Sequence, residues 1–133
     1  MKLLFLTLIV AFIFGSAPST SAQTNRQISV RVGKQKKDTR SKLTVKFISL
    51  VEDSRCPEGT NCVWAGNATI KVAVFEGGQE VKTFEANTNI GAQGETYGAY
   101  AVKLVSLTPS PKENVRLNRN AYTATFSISR LTR

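Results

Sequence analysis

The chain's two cysteines and its single tryptophan lie in one short segment, residues 53–67, DSRCPEGTNCVWAGN. Cys56 and Cys62 stand too far apart for a redox pair, which usually has the shorter Cys-x-x-Cys spacing. A structural zinc site needs four ligands, and two thiols in a chain without histidine cannot complete a usual one. The spacing therefore favours a structural disulfide over a redox or metal site.

The absence of histidine removes several reaction mechanisms. No Ser-His-Asp or Cys-His arrangement can form without it. Among the carboxylates, Glu52, Asp53 and Glu58 cluster in sequence, but they lack the spacing of an EF-hand calcium loop, and we interpret them as solvated loop charges. A hydrolase using two carboxylates brought together in space is the alternative left open. We expect no enzyme activity, no cofactor and no metal.

The first residues indicate export. Lys2 precedes an apolar run, residues 3–14, and small residues follow as far as Ala22. This plan predicts a signal peptide over residues 1–22. As a helix the run would reach about 18 Å, short of a hydrocarbon core of ~30 Å. We therefore expect a secreted or periplasmic protein, residues 23–133, that forms one domain without an integral membrane span.

Export also bears on the cysteines. Thiols in an oxidising compartment pair with each other, so we predict an intramolecular bond between Cys56 and Cys62. Closing so small a ring contributes roughly 2.4 kcal/mol in the loop-closure treatment. Pro57 and Gly59 suit a tight turn inside the ring. We predict that Trp64 is buried beside the disulfide, and that Trp64, Pro57, Gly59 and Gly66 form a structural clamp with it.

Apolar and polar residues alternate along most of the remaining chain, which is typical of strands with one buried face. This pattern covers residues 28–32, 43–47, 68–74, 100–104 and 122–128, and a sixth strand over 81–86 follows a glycine-containing hairpin turn. We predict an all-β fold, an antiparallel β-sandwich of six to seven strands with one short-loop disulfide. A small β-barrel is the alternative.

The remaining segments are predicted to be irregular. Residues 33–42, 87–98 and 109–120 are interpreted as loops, and a short extra strand near Val115 and Leu117 is the alternative for the last of them. The alternation slips at residues 48–51, which indicates a β-bulge or a strand that continues into the cysteine segment.

Two motifs resemble a group of small exported bacterial proteins, many of them lipoproteins and most of them uncharacterised. The first is DSRCP followed by CVWAG, at residues 53–57 and 62–66. The second is a Tyr-x-Val-x-Leu-x-x-Leu-x-Pro-x-Pro run at residues 100–111, before a final strand that begins at Tyr122. The resemblance implies a β-rich exported domain and transfers no activity. The chain differs from the group in lacking the lipoprotein cysteine and in its basic N-terminal segment.

The charge distribution is the main indication of function. The chain has a net charge of +9. Eight cations and one carboxylate lie in residues 23–46, four cations and seven carboxylates in 47–111, and five cations and one carboxylate in 112–133. If the terminal strands are neighbours, their cations form one basic face. The candidate polyanion-binding residues are Arg31, Lys34, Lys36, Lys37, Arg40, Lys42, Lys46 and Arg130.

Three functions remain open on the sequence alone. The first is a non-enzymatic, surface-associated binding module whose basic face engages an anionic envelope polymer through a salt-sensitive field. The second is a peptidase inhibitor that presents the disulfide-pinned loop. The third is a carboxylate- or metal-dependent enzyme. Lysines at sheet edges also prevent aggregation, which is the structural explanation of the same charges.

Overall fold

The structure is a computed structural model that describes residue 15 and residues 25–132. The predicted signal peptide, Gly15 excepted, lies outside the described residues. The described part of the chain contains no helix with the length and hydropathy needed to cross a bilayer. It contains eight strands: β1 (Arg26–Arg31), β2 (Gln35–Lys37), β3 (Leu43–Asp53), β4 (Ala68–Glu76), β5 (Gln79–Asn87), β6 (Gly94–Tyr97), β7 (Tyr100–Thr108) and β8 (Thr123–Arg130).

The strands form two antiparallel four-stranded sheets. The first sheet has the order β1-β8-β7-β6 and the second has the order β2-β3-β4-β5. The sheets do not close into a barrel, so the predicted β-sandwich is confirmed and the barrel alternative is wrong. All six strands expected from the alternation are present, and β2 and β6 are additional strands in segments predicted to be loops.

Alternating burial explains why these segments form strands. Along β3, Leu43, Val45 and Phe47 are buried, while Thr44 and Lys46 between them are only half-buried. Burying one row of side chains in this way requires a period of two residues. The largest fully buried side chains include Phe47 from the second sheet and Phe126 from the first. The core lies between the two sheets.

Of the irregular features predicted from the sequence, the bulge and the hairpin turn are present and the short extra strand is not. The predicted bulge is confirmed, because the pairing of β3 with β4 shifts between Phe47 and Ser49 and again between Leu50 and Glu52. The hairpin between β4 and β5 turns through Gly77 and Gly78, both at positive φ. The strand expected near Val115 and Leu117 is wrong, since no described residue there is in a strand.

The chain crosses from one sheet to the other along two opposite sides of the sandwich. The link from β1 to β2 joins one edge of each sheet, and the two edge strands contact each other. The link from β5 to β6 does the same on the far side. The loops that connect the strands lie at the two ends of the sandwich. We call the end that holds residues 54–67, 88–93 and 109–122 the disulfide end.

Lys36 has an unusual position on the short edge strand β2. It is paired with Val45, whose side chain is fully buried, so Lys36 lies on the core-facing side of the sheet. Lys36 is nevertheless exposed. An inward-facing charge on an edge strand blocks pairing with another sheet, because association would bury that charge.

We expect Lys36→Val to make the protein associate, because the substitution leaves an apolar, unprotected edge. Light scattering over a concentration series should show oligomers that wild type lacks. The matched control is Lys37→Val on the outward face of the same strand, where Lys37 is paired with Thr44. Equal association by both variants would contradict the role assigned to Lys36.

Candidate binding surfaces

The cysteine loop at the disulfide end is closed covalently. Cys56 and Cys62 form the predicted disulfide, with their Cα atoms 5.8 Å apart. Inside the ring, the Thr60 hydroxyl donates to the carbonyl oxygen of Pro57 at 2.7 Å, and Gly59 has a φ of +84°. The predicted turn through Pro57 and Gly59 is therefore confirmed. A disulfide is compatible with an extracellular or periplasmic protein.

Backbone hydrogen bonds hold both arms of the cysteine loop. The amide of Ser54 donates to Asn67 O at 2.7 Å, and the amide of Cys56 donates to Ala65 O at 2.9 Å. The ring also reaches a neighbouring loop, because the amide of Glu58 donates to Pro111 O at 2.8 Å. Covalent and hydrogen-bonded contacts therefore fix the loop along its length.

Gly66 allows the two arms to approach each other. A Cβ atom at this position would lie 2.1 Å from Ser54 O and 2.7 Å from the Cα atom of Arg55. The backbone of Gly66 is also at a φ of +73°, where side chains are disfavoured. The structure therefore supports the predicted clamp role of Gly66 with a specific steric reason.

An ion pair between Asp53 and Arg55, whose further hydrogen bonds reach the other sheet, lies directly before the disulfide. Arg55 Nη2 is 2.8 Å from Asp53 Oδ2, and Arg55 Nε donates to Asp53 Oδ1 at 2.8 Å. The Arg55 guanidinium also donates to the carbonyl oxygens of Leu107 at 2.6 Å and Pro109 at 2.8 Å. The Tyr122 hydroxyl donates to Asp53 Oδ2 at 2.8 Å. This network joins the end of β3 to the end of β7 and the start of β8.

The network shifts the pKa values of Asp53 and Tyr122 in opposite directions. Burial by itself would raise the pKa of Asp53, but hydrogen bonds from Arg55 and Tyr122 and the charge of Arg55 outweigh it, so the pKa is lowered. Burial and the bond to Asp53 raise the pKa of Tyr122. Asp53 was predicted to be a solvated loop charge, and that interpretation is wrong, since its side chain is only 9% exposed.

Trp64 is also placed differently from the prediction. Its side chain is 54% exposed, so it does not cap the core, and the neighbouring Val63 is fully exposed. The reason is geometric: the pairing of Ser54 and Cys56 with Asn67 and Ala65 holds residues 61–64 beyond the end of the sandwich. The clamp is made by the disulfide, Gly66 and the backbone bonds, without the indole.

A cleft of about 380 Å³ opens beside the cysteine loop. Three loops form its walls, and Asn89 braces them by donating from its side-chain amide to Gly66 O at 3.1 Å. The lining residues are Arg55, Cys56, Glu58, Ala65, Gly66, Thr88, Asn89, Ser110 and Pro111.

The candidate polyanion-binding residues lie on or beside one side of the sandwich. We call the side formed by β1, β2, the start of β3 and the loops between them the basic side. It holds seven of the eight candidates, and the eighth, Arg130, ends strand β8, which is the neighbour of β1. The seven are Arg31, Lys34, Lys36, Lys37, Arg40, Lys42 and Lys46, of which all but the half-buried Lys46 are exposed.

A buried aspartate anchors the loop of the basic side. Asp38 Oδ2 accepts hydrogen bonds from the Ser41 amide at 2.9 Å and the Ser41 hydroxyl at 2.8 Å. Asp38 Oδ1 is buried and accepts no hydrogen bond from the described residues, but Arg26 Nε lies 3.4 Å from it. Burial would raise the pKa of Asp38, yet the Ser41 bonds and the Arg26 charge lower it overall. Arg26, absent from the predicted set, thus belongs to the basic side.

Carboxylates occupy the opposite side. Glu80 and Glu85 lie on edge strand β5, Glu95 lies on β6 and Glu76 ends β4. A lysine of this side, Lys82, is 3.9 Å from Glu95. The sandwich therefore carries an excess of positive charge along one side and of negative charge along the other.

Metal ligands do not converge in the described residues, where no three His, Cys, Asp or Glu side chains are grouped in a way that could hold an ion. No family model, curated protein or solved structure matches the chain.

We expect Gly66→Ala to lower the free energy of unfolding by about 2 kcal/mol or more, because both the φ angle and the contact with Ser54 O become unfavourable. Urea unfolding measures the change. Gly59→Ala is the matched control, since Gly59 has positive φ but open space around it, and should cost about 1 kcal/mol. A Gly66 variant no less stable than the Gly59 variant would refute the steric argument.

We expect Asp53→Asn to cost roughly 3 kcal/mol at neutral pH, because it leaves the Arg55 guanidinium without its counter-charge. A lowered folded-state pKa means that this stability is present above the unfolded value of 3.8 and is lost as the pH falls through the lower folded value. In urea unfolding, the deficit of the variant should therefore begin to shrink only below pH 3.8 and should disappear once the pH is below the folded-state pKa of Asp53. Glu52→Gln, at the exposed neighbour, is the control, and a constant Asp53→Asn deficit from pH 7 to pH 2 would contradict this assignment.

Proposed function

We propose that the protein is an exported, non-enzymatic binding module whose basic side engages an anionic polymer of the cell envelope. The observation that carries the proposal is the separation of charge across the sandwich. Cations of β1, β2 and their loops point to one surface, while the carboxylates of β5 and β6 lie on the opposite side. A one-sided field of this kind attracts and orients a polyanion.

The geometry of the basic side suits an extended polymer. Its cations follow two edge strands that contact each other, so they form a strip rather than a single point. A strip of exposed lysine and arginine side chains recognises charge density more than sequence or shape. Lipopolysaccharide, teichoic acid and extracellular nucleic acid all offer repeated phosphates to such a surface.

The carboxylates with lowered pKa support binding rather than catalysis. Asp38 and Asp53 are both engaged with an arginine and with hydroxyl donors, so each performs a structural task. The inhibitor alternative is disfavoured, because the guanidinium of Arg55, in the loop that would be presented, is directed into the protein at Leu107 and Pro109.

The test removes three exposed cations, Lys34, Lys37 and Arg40, by substitution with glutamine. Lys36 is kept, so that edge protection is unchanged. We expect weaker binding to duplex DNA, teichoic acid and lipopolysaccharide. For DNA, the slope of log K against log salt should fall by about 1 for each phosphate-binding cation removed. The free energy of unfolding should change by about 0.5 kcal/mol or less for each surface substitution.

The matched control removes three exposed lysines elsewhere, Lys71, Lys103 and Lys112, and gives the same net charge. We expect its salt dependence to stay close to that of wild type. Equal weakening in both variants would mean that net charge alone matters, and no binding of any of the three polymers at low salt would overturn the proposal.

A further inference from the structure

The cysteine loop holds apolar side chains out in water at a fixed position. Val63 is fully exposed and Trp64 is 54% exposed. Both follow the disulfide directly, and the amide of Cys56 fixes Ala65 on their other side. The loop therefore holds these two side chains away from the core. A rigid, exposed indole is a common anchor for a ligand because little conformational entropy is lost on binding.

The wall of the cleft begins next to Trp64. Ala65 and Gly66 line one side, and Glu58, Asn89 and Ser110 contribute polar side chains. The volume of about 380 Å³ falls at the small end of the range for ligand sites. The lining is thus a mixture of apolar surface and hydrogen-bonding groups. The volume suits a ligand of one or two sugar-sized rings.

The hydrogen bonds already made indicate which ligand chemistry fits. The amides of Cys56 and Glu58 are committed to Ala65 O and Pro111 O, so an added peptide strand would find these groups taken. The charged lining groups are Glu58 and Arg55, and four hydrogen bonds to Asp53 and to carbonyl oxygens already engage the Arg55 guanidinium. A carboxylate beside polar side chains disfavours an anion and accepts hydroxyl donors.

We propose that the cleft binds a neutral sugar residue of a glycan, with the indole of Trp64 packed against the apolar face of the ring. A pyranose has a face of C–H groups and a rim of hydroxyls, which matches an exposed indole next in sequence to a cleft of mixed apolar and polar lining. Glu58, Asn89 and Ser110 would hydrogen-bond the rim. This site lies at the disulfide end and is independent of the charges on the basic side.

The single tryptophan makes the site directly observable, since all indole fluorescence comes from Trp64. Wild-type protein is titrated in 0.5 M NaCl, which screens the basic side, with glucose, mannose, galactose and N-acetylglucosamine oligomers of two to four units. We expect a saturable change in Trp64 emission with at least one of these oligosaccharides. The affinity should change little between 0.1 and 0.5 M NaCl.

Calorimetry of variants with that oligosaccharide assigns the contact. Trp64→Ala should weaken binding about tenfold or more, and Trp64→Phe should recover much of the affinity because it restores an aromatic face. Glu58→Gln combined with Ser110→Ala should also weaken binding. The control Leu131→Ala removes an exposed apolar side chain at the opposite end of the sandwich and should have no effect.

The outcomes separate this proposal from the proposed function. The variant lacking Lys34, Lys37 and Arg40 should bind the oligosaccharide as wild type does, even though it binds polyanions poorly. No response to any of the sugars, or equal binding by Trp64→Ala, would overturn the inference. A shift in emission seen only with phosphatidylglycerol vesicles would also overturn it and assign the exposed Val63 and Trp64 to a lipid surface.

Discussion

The ion pair between Asp53 and Arg55 is the interaction on which the disulfide end depends. Asp53 ends β3 in one sheet, and Arg55 carries the link to the carbonyl groups of Leu107 and Pro109 beside the other sheet. The pair and the hydrogen bonds of Arg55 to these carbonyl groups therefore connect the two sheets at the disulfide end, where the hydrophobic core ends. The cysteine loop, which contains the disulfide, Gly66 and the exposed Trp64, lies directly beside this pair.

The separation of charge follows from the topology. The chain changes sheets along two opposite sides, and each side carries one short strand beside a longer one. On the basic side, lysines serve both for edge protection and for attraction of a polymer. Because successive residues of a strand point to opposite faces, Lys36 and Lys37 differ in role. The first faces the core layer and the second faces solvent. The charge asymmetry is thus a property of the whole sandwich, while the cleft is local to three loops.

The sequence predicted the parts of the fold that rest on local pattern. Half-buried strands are recognised by their alternation, and two cysteines in one chain have one way to pair within it. Strand β2 was missed because Gln35, Lys36 and Lys37 are all exposed and join the sheet through the backbone. The contacts of Arg55 join residues more than 50 positions apart, and no local pattern encodes them. The prediction for Trp64 was wrong because hydrogen bonds of the backbone, which the residue types do not reveal, decide where its loop points.

The most direct test of polyanion binding by the basic side is to map the bound polymer by NMR. Amide chemical shifts are followed while a polyphosphate oligomer is added at low salt, and the titration is repeated in 0.5 M NaCl. The shifts should concentrate on residues 26–46, spare β5 and β6, and vanish at high salt. Shifts spread evenly over both sides of the sandwich, or shifts that survive high salt, would contradict a localised basic site.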